Sequence, residues 1–232
     1  LLEYASSTSR AIPAYNADGS LFFYDYSAGY NGIPLPFNIF NELKKSGSED
    51  KTRLINTNIT LDYKVTSWLF ANVILSYNSS STYGESYFDE RSYRVSTYNQ
   101  LPYGYDKKQL GNNLDDYRNN YCQIPYGGIL GVSENGADSF TGRFSLGLNK
   151  SFREIHSLSF VGGLDVQSQK SKGYMREDRG YMPERGRKFV TLDKLDEWPY
   201  AVQMAMRLKP RITDVMKNMI AYYGAFSYAY DG

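Results

Sequence analysis

From Arg53 to Val65 the chain alternates without a break. Ile55, Thr57, Ile59, Leu61, Tyr63 and Val65 fall on one side of an extended backbone, and Leu54, Asn56, Asn58, Thr60, Asp62 and Lys64 on the other. A period of two held this long describes a β-strand with one nearly apolar and one nearly polar face, since a helix would scatter the same residues around its axis. After a short turn at Thr66-Ser67 the pattern restarts, with Leu69, Ala71, Val73, Leu75 and Tyr77 set against Phe70, Asn72, Ile74, Ser76 and Asn78. A link this tight requires an antiparallel hairpin.

The same alternation returns twice more as a pair. Phe140, Gly142, Phe144, Leu146 and Leu148 oppose Ser139, Thr141, Arg143, Ser145 and Asn149. A short turn from Lys150 to His156 leads to Leu158, Phe160, Gly162, Leu164 and Val166, opposed by Ser157, Ser159, Asp165 and Gln167. A last strand carries Ile220, Tyr222, Gly224, Phe226, Tyr228 and Tyr230 on one face and runs into the turn pair Asp231-Gly232. The predicted strands are therefore near 53–65, 69–78, 139–149, 157–168 and 213–230. Long polar stretches separate them, from Ser79 to about Asp138 and from Ser168 to about Thr213.

Connections that go short, long, short, long have no cause in a soluble sandwich, and loops this long are unusual in compact soluble domains. They match outer-membrane barrels, whose turns are short on one side of the membrane and long on the other. The expected fold is all-β: a segment of an antiparallel up-and-down transmembrane β-barrel with long extracellular loops. Residues 1–52 are expected to be mostly extracellular loop, with Asn38 capping a short helix through Leu43 to Lys45 that Gly47 ends. The whole of 1–232 is read as part of one barrel domain. Tyr63, Trp68, Tyr77, Phe152, Tyr228 and Tyr230 are placed near the short turns, where an interfacial aromatic girdle belongs.

Composition narrows the function. The mean hydropathy of −0.53 does not exclude a membrane, because a barrel strand needs only about 9–11 residues and shows lipid every second one. The 23 Tyr and 20 Gly suit a β-rich chain with many turns. A formal net charge of +1 gives no reason for a nucleic-acid partner. Cys122 is the only cysteine and His156 the only histidine, which removes disulfides and most metal and histidine-base chemistry. No cofactor is expected. The start, Leu1-Leu2-Glu3-Tyr4-Ala5-Ser6-Ser7, has neither the basic nor the apolar region of a signal peptide.

Several segments resemble SusC/RagA-type TonB-dependent transporters of Bacteroidetes. These are Ser9-Arg10-Ala11-Ile12-Pro13-Ala14-Tyr15-Asn16-Ala17-Asp18-Gly19-Ser20, Phe37-Asn38-Ile39-Phe40-Asn41-Glu42-Leu43, Leu130-Gly131-Val132-Ser133-Glu134-Asn135, Gly180-Tyr181-Met182-Pro183-Glu184-Arg185-Gly186, and Ile212-Thr213-Asp214 with Tyr222-Tyr223-Gly224. They come in the family's order and span nearly the whole chain. The resemblance implies a barrel of about 22 strands, preceded by a plug that this sequence lacks. It also implies import of glycan or peptide nutrients across the bacterial outer membrane with TonB-derived energy. The implied partners are outer-membrane lipid, a SusD-like surface lipoprotein as lid, the nutrient itself, and the TonB complex through the missing N-terminal part alone.

Candidate ligand contacts lie among the loop aromatics and their polar neighbours: Tyr83, Tyr87, Tyr103, Tyr174, Tyr181 and Arg179. Aromatic faces beside hydrogen-bonding groups are what a sugar or peptide needs; the competing role is packing of the loops together or against a lid. A catalytic site is not expected. Glu177-Asp178 and Asp193-Lys194-Leu195-Asp196-Glu197 offer carboxylate pairs of the kind glycosidases use, but they have basic neighbours and read as solvated loop charges. His156 reads as a surface turn residue without a partner, and Cys122 as a free or packed thiol. The alternative to a transporter segment is a soluble β-rich carbohydrate-binding module, which would have to pack its apolar faces on each other.

Overall fold

The computed structural model describes residues 12–153, 155–191 and 196–230. Ser9 to Ala11, Asp193 to Leu195 and the Asp231-Gly232 pair lie outside the described residues. The chain forms strand β1 (Tyr24–Ala28), β2 (Pro34–Phe37), helix α1 (Ile39–Lys45), β3 (Ser46–Lys64), β4 (Leu69–Phe88), α2 (Tyr93–Asn99), α3 (Leu114–Asn120), β5 (Gly128–Phe152), β6 (His156–Met182), β7 (Lys188–Phe189), α4 (Pro199–Arg207) and β8 (Arg211–Tyr230). It is a mostly antiparallel β protein. The five long strands lie in the order β3-β4-β5-β6-β8, and the two-residue β7 adds to the far end of β6.

Side-chain contacts give the register. Asn72 meets Asp62 and Thr82 meets Thr52 across β3 and β4. Ser157 meets Ser151, Ser159 meets Asn149 and Asp165 meets Arg143 across β5 and β6. In each pair a step forward along one strand is matched by a step back along the other, as antiparallel pairing requires.

The long strands overrun the predicted limits. β4 continues ten residues past Asn78 to Phe88 and β5 starts at Gly128, so the expected loop from Ser79 to Asp138 is strand at both ends. β6 likewise runs through Ser168 to Met182. The reason is physical: in 79–87 and 133–138 both faces are largely polar, and in 128–132 apolar residues are consecutive (Ile129-Leu130), so the two-residue hydrophobic alternation disappears while the backbone stays extended and paired.

Contacts cluster into two compact units. The first comprises described residues through Glu49, Gly84–Val132 and Met175–Pro210; the second comprises Asp50–Tyr83, Ser133–Tyr174 and the described part of Arg211–Gly232. The first unit holds all four helices and the two-stranded β1-β2 sheet, with Tyr24 opposite Phe37 and Ala28 opposite Pro34. Its core is aromatic: Tyr30, Leu101, Leu110, Tyr117, Cys122, Trp198 and Ala201 form one buried cluster, and Val95, Ile124 and Ile129 a smaller one. Tyr117 is fully buried and donates its hydroxyl to the Asn99 carbonyl at 2.7 Å, so the ring is buried without orphaning the polar tip.

The helices of this unit are only two or so turns long, too short to stand alone in water, and are fixed by caps. Asn38 caps α1 as expected, accepting from the Phe40 and Asn41 N–H groups at 2.9 and 3.1 Å. Its amide also donates to the carbonyls of Ala14 and Phe22 at 3.0 and 2.7 Å, so this buried side chain has all its hydrogen bonds. Ser92 caps α2 through Val95, and Glu42 of α1 takes the Tyr93 N–H at 2.7 Å.

The second unit is the five-stranded wall. One face is apolar from strand to strand: Ile55, Ile59 and Leu61 on β3, Val73 and Leu75 on β4, Phe140, Phe144 and Leu146 on β5, Phe160 and Leu164 on β6, and Ile220, Tyr222 and Phe226 on β8. The Leu75 and Phe140 side chains both come within 3.6 Å of where a Cβ on Gly142 would stand, and the Phe160 ring reaches both Gly162 and Gly224. Among the described residues of this unit nothing covers the face. Ile55, Ile59, Leu61, Leu75, Phe144, Leu146 and Phe160 are all exposed, Ile55 by 58%, and Val73 and Leu164 are half-buried.

Candidate functional site

The wall has two chemically distinct faces. Its polar face is cross-linked: Asn72 donates to Asp62 at 2.7 Å, Ser159 to Asn149 at 2.7 Å, and Arg143 to both oxygens of Asp165 at 2.8 Å. Arg143 also lies over the Tyr223 ring, 5.8 Å from its centroid. That ring fits because residue 163 is glycine: a Cβ there would stand 2.6 Å from the ring and 2.4 Å from the Phe144 carbonyl oxygen.

The apolar face ends abruptly along the strands. At the short-turn end, Lys150 sits over the Trp68 and Phe152 rings at 4.8 and 5.2 Å. His156 Nδ1 hydrogen-bonds the Tyr228 hydroxyl at 2.8 Å, and its ring lies 5.2 Å from that of Tyr230. His156 therefore has a partner, contrary to expectation, supplied by a strand 72 residues away. At the other end Asp138 accepts from Ser79 at 2.7 Å and from Tyr77 at 3.2 Å. Tyr77 thus marks the edge opposite the short turns, not the turn edge where it was expected with Tyr63, Trp68, Phe152, Tyr228 and Tyr230.

The six candidate ligand residues do not converge. Tyr83 and Tyr174 line one cleft of about 740 Å³ in the wall unit. Its lining runs across all five long strands and includes Lys51, Arg53, Glu134, Lys172 and Asp214, a mixed-charge surface suited to a polar ligand. The other four lie in the first unit. Tyr181 is 3% exposed; its hydroxyl accepts from Arg187 Nε at 3.1 Å and its ring meets that of Tyr87 edge-on at 6.4 Å. Both tyrosines are thereby engaged in packing. Arg179 donates to Gln123 at 3.0 Å, pairs with Glu177 at 3.4 Å and covers the Tyr98 ring, while lining a second cleft of about 310 Å³. Tyr103 is 54% exposed, lies under the Arg91 guanidinium, and lines a third cavity of about 280 Å³.

Three of the acidic residues singled out in the sequence are held by bases. Glu177 pairs with Arg179, Asp178 with Arg176 at 2.7 Å, and Glu197 with Arg118 at 3.6 Å. Among the described residues no three His, Cys, Asp or Glu side chains come together as metal ligands. The Cys122 thiol is fully buried, within 3.7 Å of Asn99 Oδ1, and burial pushes its pKa up, away from the thiolate a nucleophile needs. Loop reading passed over Lys107. It packs on Trp198, and a contact between residues so far apart in sequence leaves no local signal.

No family profile matches this sequence, and no curated protein matches it. Among solved structures, that of the RagAB peptide importer in the closed-closed state is similar over 94% of this chain, with 14% identity and a TM-score of 0.57. The match covers 20% of that chain, so the present chain spans about a fifth of its length. At this identity the likeness is one of fold: the strands follow the path of a stretch of a transporter's β-structure.

Proposed function

We propose that this chain is a wall-and-loop segment of an outer-membrane active transporter, its apolar face on lipid and its polar face toward the lumen. The observation that carries the reading is the one-sided apolar band with a sharp polar and aromatic border at each end. On β5 the band runs from Phe140 to Leu148, about 26 Å of strand at about 3.3 Å per residue, or about 20 Å once tilted by about 40°. That fits within the apolar belt of an outer-membrane barrel, about 25 Å tall. Exposed to water, a face of this size would drive aggregation; lipid is the solvent in which it is stable.

A soluble carbohydrate-binding module would need a second sheet on this face, and the described residues of the wall unit offer none. The fold likeness to a peptide importer supports a transporter, and the residue resemblance supports a SusC/RagA-type one driven through TonB. Its cargo on this reading is a glycan or a peptide, its lid a SusD-like surface lipoprotein, and its site the bacterial outer membrane. Tyr83 and Tyr174, lining the mixed-charge cleft, and Tyr103 and Arg179, lining the smaller cavities, are the retained ligand contacts. Membrane fractionation tests the reading. The protein should remain with outer membranes through alkaline washing and be released by detergent; recovery in the soluble fraction would contradict it.

A further inference from the structure

The cavity of about 280 Å³ in the first unit is lined by Lys107, Glu90, Tyr103, Tyr105 and Tyr126, among others. Lys107 opens a short 3-10 turn (Lys107–Asn113), and the capping carboxylate of Asp106 accepts the Lys108 N–H at 3.0 Å. The Lys107 ammonium rests 4.5 Å from the centroid of the buried Trp198 ring and 5.6 Å from that of Tyr126. Aromatic faces steady a cation but do not neutralise it. Among the described residues no carboxylate lies within ion-pairing distance of Lys107. Its surroundings oppose its charge: burial, with the Arg118 guanidinium adding repulsion, pulls its pKa below the ordinary lysine value.

A half-buried ammonium with no counter-ion among the described residues is costly, and a ligand carboxylate would supply that charge and hydrogen bond. Glu90, on the same cavity, is held by the Gly127 N–H at 3.3 Å and the Tyr103 hydroxyl at 3.5 Å. Its negative charge disfavours a dianion and favours a ligand with hydroxyl or N–H donors away from its carboxylate. The volume suits one ring, and the exposed Tyr103 offers a face to stack on it.

We infer that this cavity binds a monocarboxylate carried on a single ring-bearing unit, with the ligand carboxylate on Lys107 and the ring against Tyr103. A uronic-acid sugar and the C-terminal residue of a peptide both present this chemistry. The assignment does not rest on the strands facing lipid, so it stands or falls apart from that reading.

The test is titration of the purified protein in detergent with galacturonate and with N-acetyltyrosine, each against its neutral counterpart, the methyl ester and the amide. Binding is read by calorimetry and by Trp198 fluorescence in a Trp68→Phe background. At least one acid should bind more tightly than its neutral counterpart by about tenfold or more, the worth of one charge-assisted hydrogen bond. Lys107→Met should abolish that difference and Lys107→Arg should retain it. Preference confined to the sugar acid assigns a uronate; preference confined to the amino acid assigns a peptide terminus. Equal binding of acids and neutral forms, no binding of any of the four at millimolar concentration, or full discrimination by Lys107→Met would overturn the inference.

Discussion

Arg143 donates from Nε and Nη2 to the two carboxylate oxygens of Asp165, each at 2.8 Å, from β5 to its hairpin partner β6. A two-pronged guanidinium–carboxylate pair tolerates little sliding, so it fixes the register of that hairpin as well as joining it. A one-residue slip would carry Phe144, Leu146, Phe160 and Leu164 to the wrong face.

The pair predicts a specific mutational pattern. Arg143→Asp or Asp165→Arg alone should slow folding into lipid vesicles and lower the melting temperature, by placing like charges opposite each other. The double exchange should recover most of the loss. Gel-shift folding assays of the three variants check this, and single variants that fold like the parent would remove the register role.

The face assignment predicts an asymmetry between neighbours. Phe144 lies at the middle of the apolar band, so Phe144→Arg should cost about 2–4 kcal/mol in lipid, the penalty for a cation near the bilayer midplane. Ser145→Arg, one residue on and on the polar face, should cost less. Urea unfolding in vesicles measures both.

A third prediction is a pH dependence in the first unit. Lys45, bonded at 2.6 Å, and Arg91 hold the Glu184 carboxyl below its ordinary value of 4.5. A depressed carboxylate contributes stability that is fully present above the unfolded value and is lost as pH falls through the folded one. Hydrogen exchange at Glu184 and Arg185, corrected for its intrinsic pH dependence, should therefore be constant from neutral pH down to about 5 and rise below about 4.5. Glu184→Gln should remove that rise.

The two-faced part of the wall was legible from sequence because its faces meet different surroundings, and residues such as Ile55 and Asn56 record the difference at every step. The Asn38 cap was legible because a cap is a local contract between a side chain and the next two or three N–H groups. What stayed hidden depends on distant residues. β4 continues past Asn78 through polar positions, held by pairing with β5 that leaves no hydrophobic alternation. Helix α2 is capped partly by Glu42, 51 residues earlier. His156 finds Tyr228, and Lys107 finds Trp198, through folding alone. Of the candidate ligand residues, Tyr87 and Tyr181 looked like Tyr83 and Tyr174 in sequence; only the fold separates two packed rings from two that line a cleft.

The central claim is that the apolar face meets lipid, and spin-label accessibility along β5 tests it most directly. Single cysteines placed from 139 to 149 would carry the label, the native Cys122 being fully buried, in protein reconstituted into vesicles. The account predicts a period of two, with labels at 140, 144 and 146 accessible to membrane-dissolved oxygen and labels at 141, 143 and 145 accessible to a water-soluble nickel reagent. Accessibility to the aqueous reagent on both faces alike, or no alternation at all, would contradict it.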